Sequence, residues 1–272
     1  MKASSAWRAR LELGFRPAGN RTILCHRRHL GPLLVQRPFY PEGGTCHVYL
    51  VHPPGGIVGG DQLALDVEVQ PRSHVLLTTP AATRFYRAGP HPAAVLHQEL
   101  RVRDAALEWL PQETIVFDGA RAVTRTVVHL EGDAQFAGWE VLCLGRPANG
   151  ETFTQGSIAQ DFHLYRDGQP LLLDRLRLQG ASAALNASWG FGGEQALGTL
   201  LLYPATGSGL PELRALPEPG VRHAFTLVEG ALLCRALARE AEPIRRLFTE
   251  VWLRMRPLLL GREAALPRIW AT

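Results

Sequence analysis

Apolar residues recur with a period of two along most of this chain, and that pattern limits the fold more than any other feature. In "LALDVEV", Leu63, Leu65, Val67 and Val69 alternate with Ala64, Asp66 and Glu68. A period of two places one set of side chains on a single face of a strand. In "AVLHQELRV", Leu96, Leu100 and Val102 share a face, with Gln98 between them. "RAVTRTVVHL" alternates poorly, but its β-branched Val and Thr favour strand. Similar short runs stand at 11–15, 21–25, 46–51, 74–79, 106–110, 114–117, 171–178 and 225–237. The 27 glycines and 20 prolines punctuate nearly every gap between them, as many turns require. One stretch breaks the pattern. "EAEPIRRLFTEVWLRMRPLLL" (240–260) sets Ile244, Leu247, Phe248, Val251 and Met255 at helical spacing. Pro243 suits a first turn with Glu240 and Glu242 beside it, Pro257 is expected to kink or end the helix, and Gly261 to close it. A mainly β chain with one C-terminal helical element follows. Periodicity alone fits a sandwich, a barrel or a β-helix-like stack equally.

The 272 residues suffice for a sizeable core, and no linker or fixed-length repeat divides them. The net charge of +4 comes from scattered basic residues, without the dense patch or interleaved aromatics of a nucleic-acid binder. Cys25, Cys46, Cys143 and Cys234 lie far apart and form no C-x-x-C pair, so neither a zinc site nor a disulfide framework is expected. "MKASSAWRARLEL" lacks an apolar leader core, and no apolar run reaches the ~18 residues of a membrane span. A cytoplasmic protein without a membrane or nucleic-acid partner is the expectation.

The glycine-rich "HPPGGIVGGD" (52–61) invites comparison with a phosphate loop. A Walker loop needs a lysine after its last glycine, and here Asp61 and Gln62 follow Gly60. A dinucleotide fingerprint needs glycine where Ile57 stands and a helix where "LALDVEV" follows. The stretch reads instead as a tight double turn that leads into a strand. Asp61 then shares the face of Leu63, Leu65 and Val67. Glu140 likewise shares parity with Phe136, Leu142 and Leu144, and Asp174 with Leu172, Leu176 and Leu178. A carboxylate on an apolar face must be paired, hydrogen-bonded or wetted inside the fold. One account lets a bulge flip the parity, or pairs each acid with a core arginine, Arg84, Arg175 or Arg177. The other gathers them along a hydrated acidic path able to hold divalent ions. His26 and His29 sit on opposite faces if extended, and His47 and His52 flank a short strand, so no histidine pair forms a metal cage. H-E-x-x-H and G-x-S-x-G are both absent.

Six segments in order, "VQRPFYPEG", "HPPGGIVGGD", "TTPAATRFYR", "LEWLPQETIVFDGA", "LCLGRPANGE" and "LPRIW", resemble the urease accessory protein D family, UreD or UreH, from about residue 8 to 272. The resemblance implies a mainly β fold, as one large β-helix-like or stacked-sheet domain over 1–272 with a helical element at about 240–261. It implies no catalysis. It implies a cytosolic scaffold that binds the urease apoprotein and accessory protein F, which recruits the GTPase accessory protein G. Nickel then enters urease as GTP is hydrolysed, by a path through the D protein. No tightly bound cofactor is expected, only nickel in transit. Asp61, Glu140 and Asp174 are the expected weak path ligands, with Thr83 as a neutral neighbour. Two other functions stay open on the residues alone: a β-fold hydrolase or lyase using paired carboxylates, and a plain protein-interaction module.

Overall fold

Along Gln62–Val69, leucines and valines turn inward while Gln62, Asp66 and Glu68 turn out, and this strand shows how the molecule is built. The computed structural model describes residues 6–271. The leader reading over residues 1–5 lies outside the described residues. The strands are β1 (Arg8–Ala18), β2 (Arg21–Leu30), β3 (Leu34–Val35), β4 (Cys46–Val51), β5 (Gln62–Val69), β6 (His74–Thr78), β7 (Thr83–Phe85), β8 (Ala94–Arg103) and β9 (Ala106–Leu110). They continue as β10 (Thr114–Val116), β11 (Arg121–Glu131), β12 (Gln135–Leu144), β13 (Ser157–Arg166), β14 (Gln169–Gln179), β15 (Ala196–Tyr203), β16 (Val221–Val228) and β17 (Ala231–Ala238). The helices are α1 (Ala183–Asn186), α2 (Leu210–Arg214) and α3 (Ala241–Leu260).

Through the middle of the chain, β4, β5, β6, β8, β9, β11, β12 and β13 go in turn to alternate sheets. The first sheet runs β14-β13-β11-β8-β5-β1-β2, and the second β16-β17-β15-β12-β9-β6-β4-β3, with β10 attached to β12 and β7 to β10. Within each sheet the central neighbours are parallel: β1, β5, β8, β11 and β13 in one, and β4, β6, β9 and β12 in the other. The chain thus winds as a coil that lays one strand in each sheet per turn, the stacked arrangement expected. Antiparallel hairpins such as β1/β2 and β13/β14 close the ends. Leu11, Phe15, Leu65, Val67, Leu77, Trp109, Phe136 and Phe162 fill the space between the sheets.

The second sheet is buried on both faces. On β12, Phe136, Leu142 and Leu144 point to the first sheet, while Trp139, Val141 and Cys143 point to α3. The five helix residues spaced for burial are all buried, and Trp252 and Leu259 extend the stripe. Burying each such side chain is worth about 1.5–3 kcal/mol. Gly198 on β15 makes the approach close: a Cβ there would lie 2.4 Å from Ile244 and 2.7 Å from Phe248. Gly261, in the left-handed region at φ +63°, ends the helix. Pro257 does not. The helix runs three residues past it, because proline removes only the hydrogen bond its own nitrogen would have made. Among the described residues, no helix is long and apolar enough to cross a membrane.

Candidate functional site

Strand register brings the unusual polar residues together between the sheets. In the first sheet Gln98 lies opposite Thr126, Thr126 opposite Phe162, and Phe162 opposite Asp174. In the second, Glu140 lies opposite Thr199, and Thr199 opposite Arg235. These two cross-strand rows face each other. The Thr126 hydroxyl reaches Glu140 Oε1 and lies 2.9 Å from Gln98 Oε1. Gln160 donates to Glu140 Oε2 at 2.7 Å, and the Thr199 hydroxyl donates to Asp174 at 3.3 Å. Arg235 pairs with Asp174 at 2.7 Å. The arginine that pairs with Asp174 is therefore none of Arg84, Arg175 and Arg177; strand order selects Arg235, and Arg177 pairs with Asp161.

Glu140 and Asp174 share a small cavity of about 40 Å³ with Gln160, Thr199 and Arg235, room for one or two waters. Burial pushes the Glu140 carboxyl up to about 7; the hydrogen bonds from Thr126 and Gln160 pull it down, and the negative Asp174 adds to the rise. Among the described residues, no cation bonds Glu140 directly. A hydroxyl carries one proton, so Thr126 donates either to Glu140 or to Gln98. A protonated Glu140 would satisfy both. The carboxylate thus changes charge near neutrality and keeps spare bonding capacity.

A second cavity, of about 300 Å³, opens beside the glycine-rich loop and is largely apolar. His52, Thr83 and Gln98 supply polar groups to its wall. Burial lowers the His52 pKa, against the pull of Asp61, and His52 Nε2 is buried without a hydrogen-bond partner. Gly56 lets the loop touch Tyr86, since a Cβ there would come within 2.1 Å of the ring. Gln98 lines this cavity and Glu140 the other, with Thr126 between them.

Asp61 is buried, as its parity requires, but away from the other two acids. Its Oδ1 accepts the Trp7 N–H at 2.8 Å and its Oδ2 the Val58 N–H at 3.0 Å, which fixes the loop and the start of β1. The predicted residues therefore divide: Glu140 and Asp174 share one cavity, Thr83 lines the other, and Asp61 braces the loop beside it. Sequence reasoning missed Gln98, Thr126, Gln160, Thr199 and Arg235, although all but Gln160 are read off once strand pairing is known.

A contrasting cluster lies on the other face of the second sheet. Glu108 on β9 receives Arg256 Nε and Nη2, both at 2.9 Å, the Trp252 indole N–H at 2.6 Å and His74 at 2.7 Å. Arg256 also pairs with Glu42 at 2.7 Å, and His47 lies 2.5 Å from Glu42. Burial alone would raise the Glu108 carboxyl; the hydrogen bonds and charges of His74 and Arg256 outweigh it and bring the pKa to about 2. Every oxygen here is committed, so this cluster serves the fold. Among the described residues, no three His, Cys, Asp or Glu side chains form a metal-holding group.

The model of the UreD urease accessory protein family matches residues 7–271. The chain is 43% identical over 269 residues to a urease accessory protein UreD from Klebsiella pneumoniae subsp. pneumoniae, covering 98% of this chain and 96% of that one. It is 44% identical over 274 residues to the UreD of Azoarcus sp., covering 99% and 96%. It is 46% identical over 277 residues to that of Marinobacter nauticus, covering 98% and 93%. A family match over nearly the whole described length, with relatives at this identity, makes the chain a member of the UreD family of urease accessory proteins, which assist an enzyme and are not enzymes themselves.

Proposed function

We propose that this protein is a urease maturation factor of the cytoplasm, acting over residues 1–272 as one non-catalytic scaffold and metallochaperone. It binds the urease apoprotein and accessory protein F, through which the GTPase accessory protein G is recruited, and nickel is inserted as GTP is hydrolysed. Nickel is cargo here. The observation that supports an internal path is the run of polar groups between the sheets: a largely apolar cavity whose wall carries His52, Thr79, Thr83, Arg84 and Gln98, the Thr126 bridge, then the cavity of Glu140 and Asp174. Oxygen and imidazole donors spaced along such a line bind an ion weakly at several points, which favours passage over storage. Glu140 takes the ion as a carboxylate and releases it on protonation. Asp174, held by Arg235, offers a weaker second stop. Asp61 contributes its charge beside His52 and holds the loop in shape.

Nickel content of urease co-expressed with this protein and its partners tests the path. Changing Asp61, Glu140 and Asp174 together to Ala should lower the metal per urease active site while the accessory complex still co-purifies. Fully loaded urease with the triple variant would sink the path, leaving the scaffold role standing. A complex that no longer forms would instead move these residues to the interface.

A further inference from the structure

Away from the inter-sheet seam, four chain segments meet around a third cavity of about 440 Å³. The β1–β2 turn brings Asn20, the start of β2 brings Arg21, the β5–β6 turn brings Arg72, and the segment after α3 brings Arg262. The glycine pair before β4 closes the ring. Gly44 leaves the space that Arg262 occupies, since a Cβ there would lie 3.4 Å from Nη1 and 3.1 Å from the Asn20 carbonyl. Thr22 and His74 form the floor. No acidic side chain lines this cavity, and none of its three arginines makes an ion pair with a described residue.

Three unpaired guanidinium groups at one concave mouth repel one another, and the arrangement is stabilised by an anion between them. Each is placed by a separate device. Arg21 lies over the Tyr40 ring at 4.9 Å. Arg72 takes a left-handed conformation at φ +64°, its N–H held by the Asp104 carbonyl at 2.7 Å. Arg262 follows the glycine that ends α3. The floor points the same way. Thr22 is 3% exposed, and its hydroxyl oxygen accepts the His74 N–H at 2.8 Å. Its own proton has no described acceptor, so the hydroxyl is able to donate into the cavity it lines.

We infer that the cavity of Arg21, Arg72 and Arg262 is a binding site for a doubly charged oxyanion of the phosphate class. Guanidinium forks match the oxygen spacing of such a group, and the Thr22 hydroxyl completes the donor set at its base. A free phosphate ion and the terminal phosphate of a nucleotide share this chemistry. The site stands apart from the seam of Glu140, so its test is independent of the nickel reading.

Titration calorimetry of the full chain with inorganic phosphate, and separately with ATP, at constant ionic strength gives the test. Saturable phosphate binding is expected, weakened about tenfold by Arg72→Gln or Arg262→Gln, as loss of a charged hydrogen bond implies. Arg28→Gln, which removes an exposed charge elsewhere, should leave it unchanged. Phosphate binding as tight as that of ATP assigns the site to the free ion, and tighter ATP binding lost in the same variants assigns it to a nucleotide's phosphates. The inference is overturned if phosphate shows no saturable binding at millimolar concentration. It is equally overturned if Arg28→Gln weakens binding as much as Arg72→Gln, or if folded pocket variants bind as the parent does.

Discussion

Glu108 and Glu140 are carboxylates of one sheet, on opposite faces, and they hold their protons five pH units apart. Glu108 sits at about 2 and Glu140 at about 7. Both are pushed upward by burial, and the lower value belongs to Glu108, the more deeply buried of the two, so burial does not set their order. Their partners do. Glu108 meets a bidentate arginine, a histidine and an indole, whereas Glu140 meets a hydroxyl, an amide and the charge of Asp174. A saturated buried acid is a fastener. A buried acid left without a cation is a group the fold tolerates at a cost, and such a group is where function is to be sought.

The hardest break of this contrast is Glu108→Gln. It leaves Arg256 buried with only Glu42 to offset it, and unfolding by denaturant should show a loss of about 3–5 kcal/mol. Pairing Glu108→Leu with Arg256→Met should cost less than Arg256→Met alone, because Glu42, and not Glu42 and Glu108 together, is then left without its arginine. Acid should act as the single change does. The folded pKa of Glu108 lies below its unfolded value near 4.5, so its contribution is full above pH 4.5 and lost as pH falls toward 2.

Glu140→Gln should move stability the other way. The folded pKa is raised, so the ionised group weakens the fold progressively from pH 4.5 to 7 and fully above it. Thermal melts should show the variant more stable than the parent by about 3 kcal/mol at pH 8, and equal to it below pH 4.5. The same variant should lower nickel in co-expressed urease, so that stability and function part company at this residue. An unchanged or reduced stability at pH 8 would place Glu140 with Glu108 as a structural acid.

Gly198→Val tests the helix-facing side without charge. Overpacking against Ile244 and Phe248 should cost about 1–3 kcal/mol in denaturant titration. The smallest effect is expected for Asp174→Asn. Its partner Arg235 is 45% exposed in its side chain, so the pair should contribute under about 1 kcal/mol to unfolding free energy.

Sequence carried the strands and the inward parity of all three acids, because side-chain period two is a local property. It carried α3 for the same reason, down to its closing glycine. The short β3 and β7 escaped it, the run 225–237 hid the turn between β16 and β17, and β13 and β15 were missed: "SIAQDFHLYR" breaks alternation, and "ALGTLLLY" is buried on both faces and so does not alternate. The coil and its register were not local. Nothing in the chain near Glu140 announces that Thr126 will face it, or that Arg235 will lie beside Asp174. Glu108 gave no signal either, since its partners stand at 74 and at 252–256. Asp61 was legible as buried, but its role depends on a backbone N–H at position 7, which no side-chain pattern reveals.

The bond from Arg256 to Glu108 closes a loop of 148 residues. On the ribosome the strands that bury Glu42 and Glu108 are made long before the cation they require. Until α3 emerges, the second sheet has an uncovered apolar face and two acids without their counter-charge. The coil can begin to wind as it is made, turn upon turn. Its final closure waits for the last strip of chain, so a message cut short yields a protein unable to finish folding.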